Sequence, residues 1–564
     1  MTAAGVSTRD WLQAGLFRSA LYALSLRGGA PRGLERSLVQ PWRGDGVRGA
    51  RILRGTFSFG GESWPIGEGS WDLPGAGEGW RAERHGFAWL ADLHALGSDA
   101  ARRRAREQVI GWILRHDRWD PVAWRADVLA ARIVSWLAEH DFFCASADDE
   151  FRRQYFLSLG RQVRHLARIA PGRELGVTRL AVAKALVFAG VALSGAEARL
   201  GQGLHLLARE LRRQIAPDGS NRERSPWAQL AALRHLIDVR VSLTAGGHAI
   251  PPYVQDAILR MAPALRFFRH GDGRLALFNG STEEDAELIE STLAQANAPG
   301  RPPDQLPHGG FERLRAGRTL LIADVGPPSE PGLDQRAHAG TLSFEMSVGR
   351  ERLIVNCGVN GSDSRAWLLA ERASAAHSTL VVEDTNSSEV RGDGRIGRRP
   401  QRVWSRREEK DGGTLIDASH DGYAPGFGLV HQRLLYLGPG GDEVLGEDRL
   451  TPASDRARAR PRAFAIRFHL FPDARASLVQ TGNAALVRLP SGAGWRLQAN
   501  GGTLGLEEGV YLGRLGEIRR TEQIVIVGRT DDGRASVRWA FKREALERRE
   551  SAEVGGERPL PDAP

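Results

Sequence analysis

The chain is poor in lysine. Only Lys184, Lys410 and Lys542 occur among 564 residues, so a net charge of +9 is carried almost wholly by arginine. Arginine offers carboxylates and sulfates a planar two-pronged donor that lysine lacks, which suits an anionic partner. The arginines are scattered and no nucleic-acid module is readable, so nucleic acid is not an expected partner. Cysteine is scarcer still. Cys144 and Cys357 stand far apart, which excludes a disulfide framework and a local Cys-x-x-Cys metal pair. Both read as small buried apolar side chains. Long apolar runs are missing too. The N-terminal stretch "MTAAGVSTRDWLQAGLFRSALYALSLRGG" is broken by Asp10, Arg18 and Arg27. It reads as an amphipathic helix and not as a signal peptide. The stretch 175–195 holds Arg179 and Lys184, so it reads as a buried helix and no transmembrane segment is expected.

What is present divides the chain. Its length suggests two or three domains, at roughly 100–200 residues each. Apolar content of 41% and charge of 26% belong to a globular protein. Residues 1–80 are a Gly- and Trp-bearing lead-in. From 81 to 290 apolar residues recur at helical spacing: Val128, Leu129, Ile133, Trp136 and Leu137 share one helix face. Further helices are expected over 100–116, 151–169, 175–194, 197–215, 226–243 and 252–268, paired and stacked into a bundle or ring. Prolines mark a linker over 291–310. From 311 to 548 the period becomes two, with many short strands and turns between them, which predicts a large antiparallel sandwich. The polar tail 549–564 is expected to be disordered. The fold class is therefore α+β, a helical domain followed by a β-sandwich.

Three stretches carry candidate chemistry. In "RAHAGTLSFEMSVGRERLIVNCG" (336–358), two alternating runs flank a Gly-Arg turn, the pattern of a hairpin with one buried face. His338 precedes its first strand and His377 stands at the mouth of another, both beside small residues that leave the imidazoles uncovered. Arg336, Arg372 and Asn356 lie nearby, and His338, His377 and a residue of "VNCG" (355–358) form a candidate zinc set. The loop "PDGSNRERSPWAQL" (217–230) offers Arg222, Glu223 and Arg224 as a cleft wall. Its Ser225-Pro226 step predicts a helix start. The turn "RHGDGRLALFNGS" supplies His270, Asp272 and Asn279 beside glycines that allow close backbone approach. His431 and His469 fall inside strands and read as hydrogen-bonded sheet histidines.

These stretches resemble the heparinase II/III-like family. The resemblance rests on "RAHAGTLSFEMSVGRERLIVNCG" followed by "AAHSTLVVEDTNSSEV", on "PDGSNRERSP", and on "RFFRHGDGRLALFNG" and "YLGRLGEIRRTEQIVIVGR". It covers roughly residues 80–545 and implies an N-terminal (α/α) toroid followed by an antiparallel β-sandwich. It also implies a polysaccharide lyase that cleaves acidic, uronate-containing glycans by β-elimination. That chemistry needs a base, an acid and a group that neutralises the uronate carboxylate. The resemblance assigns proton transfer to His338, His377 and His270, and substrate contact to Arg222, Glu223, Arg224, Asp272, Asn279 and Arg336. Where the family carries a tyrosine this chain reads Trp227-Ala228-Gln229. The family's Asn-His pair falls at Val177-Thr178 or is displaced, its upstream sandwich histidine falls at Arg336, and its metal-binding carboxylate at Asn356. The metal set the resemblance implies is His338, Asn356 and His377; no cofactor is required, and a zinc there would be structural. A glycan-binding protein on the same scaffold is the alternative. An inverting hydrolase, with two of Asp218, Glu223 and Asp272 set roughly 6.5–9.5 Å apart, is the second. The resemblance implies the cell envelope or periplasm, and the unreadable signal peptide leaves the cytoplasm as alternative.

Overall fold

The computed structural model describes residues 8–544, apart from 68–70, 72, 173–175, 363, 455–459 and 480–481. The tail expected to be disordered, 549–564, lies outside the described residues.

The helical half contains Asp99–Arg115, Ala126–Ala138, Asp149–Ile169, Val177–Ala192, Glu197–Gln214, Pro226–Ala245 and Pro252–Phe267. Local chemistry sets their ends. Ser225 accepts from the Ala228 amide and Pro226 opens the helix, as the Ser-Pro step predicts. Val177–Ala192 packs against Glu197–Gln214, Ala126–Ala138 and Pro226–Ala245 and is buried almost all round. Its two charges survive burial because each meets an acid: Arg179 faces Glu210 at 2.8 Å and Lys184 faces Asp238 at 2.9 Å. Among the described residues no helix is long and apolar enough to cross a membrane.

The stretch expected as linker is partly ordered. Helix Ala286–Ala296 runs into it and ends at Asn297, whose φ of 47° is left-handed. Its prolines begin only at Pro299, beyond the cap. Gln305–Leu306 then pairs with Phe311 and Glu312 as a short strand.

Two antiparallel sheets follow. One runs from Thr503–Tyr511 through Arg519–Arg529, Ala463–Leu470, Glu351–Val355, Phe344–Val348, Thr319–Asp324 and Phe311–Ala316 to Gln305–Leu306, with Leu380–Val382 beside Ala463–Leu470. Among the described residues the second has eight strands, from Arg475–Val479 to Val403–Lys410. Trp539 of the second sheet stacks on Phe344 of the first at 5.8 Å and meets Phe468 edge-on at 4.9 Å.

The hairpin at 344–355 departs from expectation. Its inward face, with Phe344 and Met346, joins the sandwich core, and its outward face is buried as well. The cause is the helical half. Phe311, Leu320 and Ile322 belong to the same apolar cluster as the helices, and the 269–277 segment covers Glu345, Ser347 and Arg352. A sheet covered on both sides keeps the alternation but loses the solvent-exposed face that alternation predicts.

Candidate functional site

The seam between the halves is held by an arginine clamp. Arg224, at φ 56°, sends its guanidinium to the carbonyls of Gly309, Gly310 and Pro327 and to the Asp324 carboxylate. Its own carbonyl accepts from Asn279 Nδ2 at 2.9 Å, and Asn279 Oδ1 accepts from the His338 amide at 3.1 Å. Gly280 follows at φ 65°, and a Cβ there would stand 3.1 Å from Arg336 Cβ, so glycine admits the sandwich loop. Loops 217–226 and 278–282 therefore meet the 336–341 segment, and Glu223, Arg224, Asn279, Arg336, His338 and His377 come together.

The two imidazoles are not uncovered. His338 and His377 are 4% and 2% exposed. The small residues beside them make room for rings: a Cβ on Gly340 would lie 2.7 Å from His377 Cδ2. His377 Nδ1 faces the Ala373 carbonyl at 2.8 Å and so carries the proton, which leaves Nε2 to accept from His338 Nδ1 at 3.0 Å. His338 Nε2 is then an unprotonated, buried nitrogen without a partner. Burial holds both rings neutral, His377 down to about 4 and His338 well below the ordinary range, where His377 and Arg372 add to the effect.

Arg336 and Trp227 face one another across the seam. The Arg336 guanidinium lies 3.7 Å from the Trp227 ring centroid, and its Nε is 3.9 Å from Glu223. Glu223 also accepts from the Val177 amide at 2.7 Å. Burial pushes its carboxyl up despite Arg336 and that amide.

Other expected residues lie apart. His270 is buried with both nitrogens engaged, Nε2 with Glu345 at 3.0 Å and Nδ1 with Ser347 at 2.9 Å. It braces the seam and has no free nitrogen for proton transfer. Asp272 is taken by Arg352 at 2.8 Å, and Arg222 turns outward toward Glu330. The hydrolase arrangement is not assembled. Asp218 accepts from Ser220 and from the His308 and Gly309 amides, and Asp272 belongs to Arg352, which leaves Glu223 without an acidic partner. The zinc set does not fit either. Asn356 gives Nδ2 to Glu345 and receives the Ser378 amide at Oδ1, and His338 and His377 bond each other. Among the described residues no three His, Cys, Asp or Glu side chains are grouped to hold a metal. His431 and His469 are satisfied, by Asp448 at 2.7 Å and the Ala375 carbonyl at 2.9 Å. Cys144 and Cys357 are free and buried.

Beside Trp227 the helical half and residues 40–48 form a half-open recess of about 370 Å³ that sequence reasoning did not find. Trp42, Lys184, Trp227, Arg234, His235 and Asp238 line it, among others. Asp238 is its anchor, accepting from Trp42 Nε1 at 2.6 Å and from Lys184 at 2.9 Å. The signal available was Lys184 itself, a lone lysine in an apolar helix, which demands a buried acid.

The comparisons agree with this architecture. Residues 298–540 match the family model described as heparinase II/III-like, C-terminal. Over 555 residues the chain is 32% identical to FtsZ-localized protein C of Caulobacter vibrioides (strain NA1000 / CB15N), covering 95% of this chain and 94% of that one. Among solved structures, Heparinase III shares the fold with a TM-score of 0.75 at 14% identity, over 95% of this chain and 91% of that one. A mutant of heparan sulfate lyase HepC from Pedobacter heparinus gives 0.61 at 18% identity, over 88% and 82%. With a helical ring, a two-sheet sandwich and a matching family model in one polypeptide, the chain belongs to the heparinase II/III-like family.

Proposed function

We propose that this chain binds an acidic, uronate-bearing glycan in the cleft beside Trp227 and does not cleave it. The observation that carries this is the Arg336–Trp227 stack at 3.7 Å. The family resemblance puts a histidine at Arg336 and a tyrosine within Trp227-Ala228-Gln229. β-Elimination needs a group that takes the C5 proton and a group that gives one to the leaving oxygen. Guanidinium keeps its proton at any working pH and the indole N–H donates a hydrogen bond without ionising, so the stack can hold a sugar but cannot move its protons. Of the neighbouring imidazoles, His377 has both nitrogens engaged, and the one open nitrogen, His338 Nε2, is buried away from solvent. What remains is a cationic edge, an aromatic face and a cavity, which suit binding.

The similar Caulobacter protein is named for its localization with FtsZ. We propose, with that similarity as support, that the glycan-binding role of this chain is exercised at the cell-division assembly. Two measurements test the proposal. Incubation with a panel of uronate-containing oligosaccharides should give binding by calorimetry and no rise in the ultraviolet absorbance of unsaturated uronate. A rising absorbance on any of them would sink the non-cleaving assignment. A fluorescent fusion should gather where FtsZ gathers, and uniform fluorescence would remove the division-site assignment.

A further inference from the structure

A second recess lies on the helical half, away from the seam. It is half-open and about 490 Å³ in volume, and Arg32, Arg164 and Arg199 line it with no carboxylate in its wall. Among the described residues none of the three has a carboxylate at ion-pair distance. Glu197, the acid nearest Arg199 in sequence, accepts from the Gly195 amide at 3.1 Å and does not line the recess. Arg164 is fixed by carbonyls, donating from Nε to Leu26 at 2.7 Å and from a terminal nitrogen to Gly29 at 3.2 Å. Gly160, one turn earlier on the same helix, admits the 28–32 segment: a Cβ there would lie 3.0 Å from Pro31 Cδ. Arg199 is steadied by Gln202 Oε1 at 3.0 Å. Burial pulls the Arg164 guanidinium below its ordinary value, and the charges of Arg161, Arg168 and Arg199 add to the effect. Ser194 Oγ accepts from the Arg32 amide at 2.8 Å, which leaves its O–H to donate. Helix Val177–Ala192 measures the separation from the cleft. Its first amide serves Glu223 at the seam, Leu193 at its other end lines the recess, and 16 residues at 1.5 Å each put about 24 Å between them.

We propose that this recess binds a phosphate monoester, with Arg32, Arg164 and Arg199 donating to its terminal oxygens. The charge count selects the class. Three cations in a wall without a carboxylate leave a surplus that one carboxylate, with a single charge and two oxygens, does not meet. A phosphate monoester brings close to two negative charges near neutral pH and three strong acceptor oxygens, and guanidinium pairs with phosphate oxygens in parallel hydrogen bonds. The Ser194 hydroxyl adds a neutral donor. The volume exceeds that of a phosphate group and leaves room for the body that carries it, a soluble sugar or the head of a lipid. The site is separate from the glycan cleft, and neither assignment rests on the other.

Calorimetry on the full chain tests this with glucose 6-phosphate, glucose and succinate. Co-sedimentation with phosphatidylcholine vesicles, with and without phosphatidic acid, tests the same chemistry on a lipid. Glucose 6-phosphate should bind and glucose should not. Arg199→Gln should weaken that binding about tenfold, the worth of one charge-assisted pair, and Arg199→Lys should recover part of the loss. Arg32→Gln should weaken it as well, whereas Arg488→Gln, which removes an exposed arginine of the sandwich, should leave it unchanged. Thermal unfolding of each variant controls for folding. Arg199-dependent binding of glucose 6-phosphate upholds the proposal with a soluble ester as ligand. The same dependence seen only with phosphatidic acid vesicles upholds it with a lipid headgroup. Succinate binding as tightly as glucose 6-phosphate overturns the choice of phosphate. Affinities unchanged in both R32Q and R199Q, or no binding of either phosphate probe, overturn the site. Tetragalacturonate affinity should be the same with and without saturating glucose 6-phosphate, and competition between them would overturn the separation from the cleft.

Discussion

His377 donates from Nδ1 to the Ala373 carbonyl and must therefore accept at Nε2 from His338. A proton added to His377 Nε2 would set two N–H groups against each other in a buried space. The folded state keeps His377 near pKa about 4, whereas an unfolded histidine titrates near 6.5. The unfolded chain thus binds more protons below that value, so stability is full above about pH 6.5 and falls as pH drops toward the folded value. Each such histidine contributes a slope of up to about 1.4 kcal/mol per pH unit in that window. Urea midpoints measured between pH 7.5 and pH 5 should fall, with His377→Gln flattening the slope by up to that amount. An unchanged slope in the variant would show that the pair titrates freely. At the cleft, Trp227→Ala should weaken oligosaccharide binding by about tenfold, a loss typical of an aromatic platform, read by calorimetry.

The element that joins the halves is the loop before Pro226–Ala245. Arg224 spends its whole guanidinium on sandwich carbonyls and on the buried Asp324. Removing one partner of a buried ion pair costs about 3–5 kcal/mol, because the other charge is left stranded. Arg224→Ala should lose that much in denaturant unfolding, while Arg222→Ala, on the exposed side of the same loop, should change stability by less than about 0.5 kcal/mol. Equal losses would refute the clamp. At this scale the sequence was legible in part. Helix periodicity and the Ser-Pro start gave the ring, and period-two strands gave the sandwich. Asn279, Arg224 and His338 could be grouped because their loops resemble one family's pattern. The roles were not legible, because His270 and His338 look alike in sequence and differ only in what their nitrogens touch. The outward face of 344–355 was misjudged for the same reason: alternation reports polarity, and Glu345 is polar yet wholly buried by partners distant in sequence.

Across the molecule, the ring and the sandwich share one apolar cluster. Phe311 packs edge-on against Phe268 at 5.0 Å and meets Phe278 at 5.3 Å, and Leu320 and Ile322 join the same cluster. Expressed from residue 297 onward, the sandwich would bare that face. It should bind a hydrophobic dye and self-associate in ultracentrifugation, whereas the full chain should not. A monomeric, dye-silent sandwich would show that the shared cluster is dispensable.

That joint has a consequence for how a ligand enters. Two lobes welded through a common greasy seam cannot swing apart like jaws, so the recess beside Trp227 is a fixed mould. Capture should then be limited by encounter and not by closure, with saccharide on-rates that rise linearly with concentration and never level off.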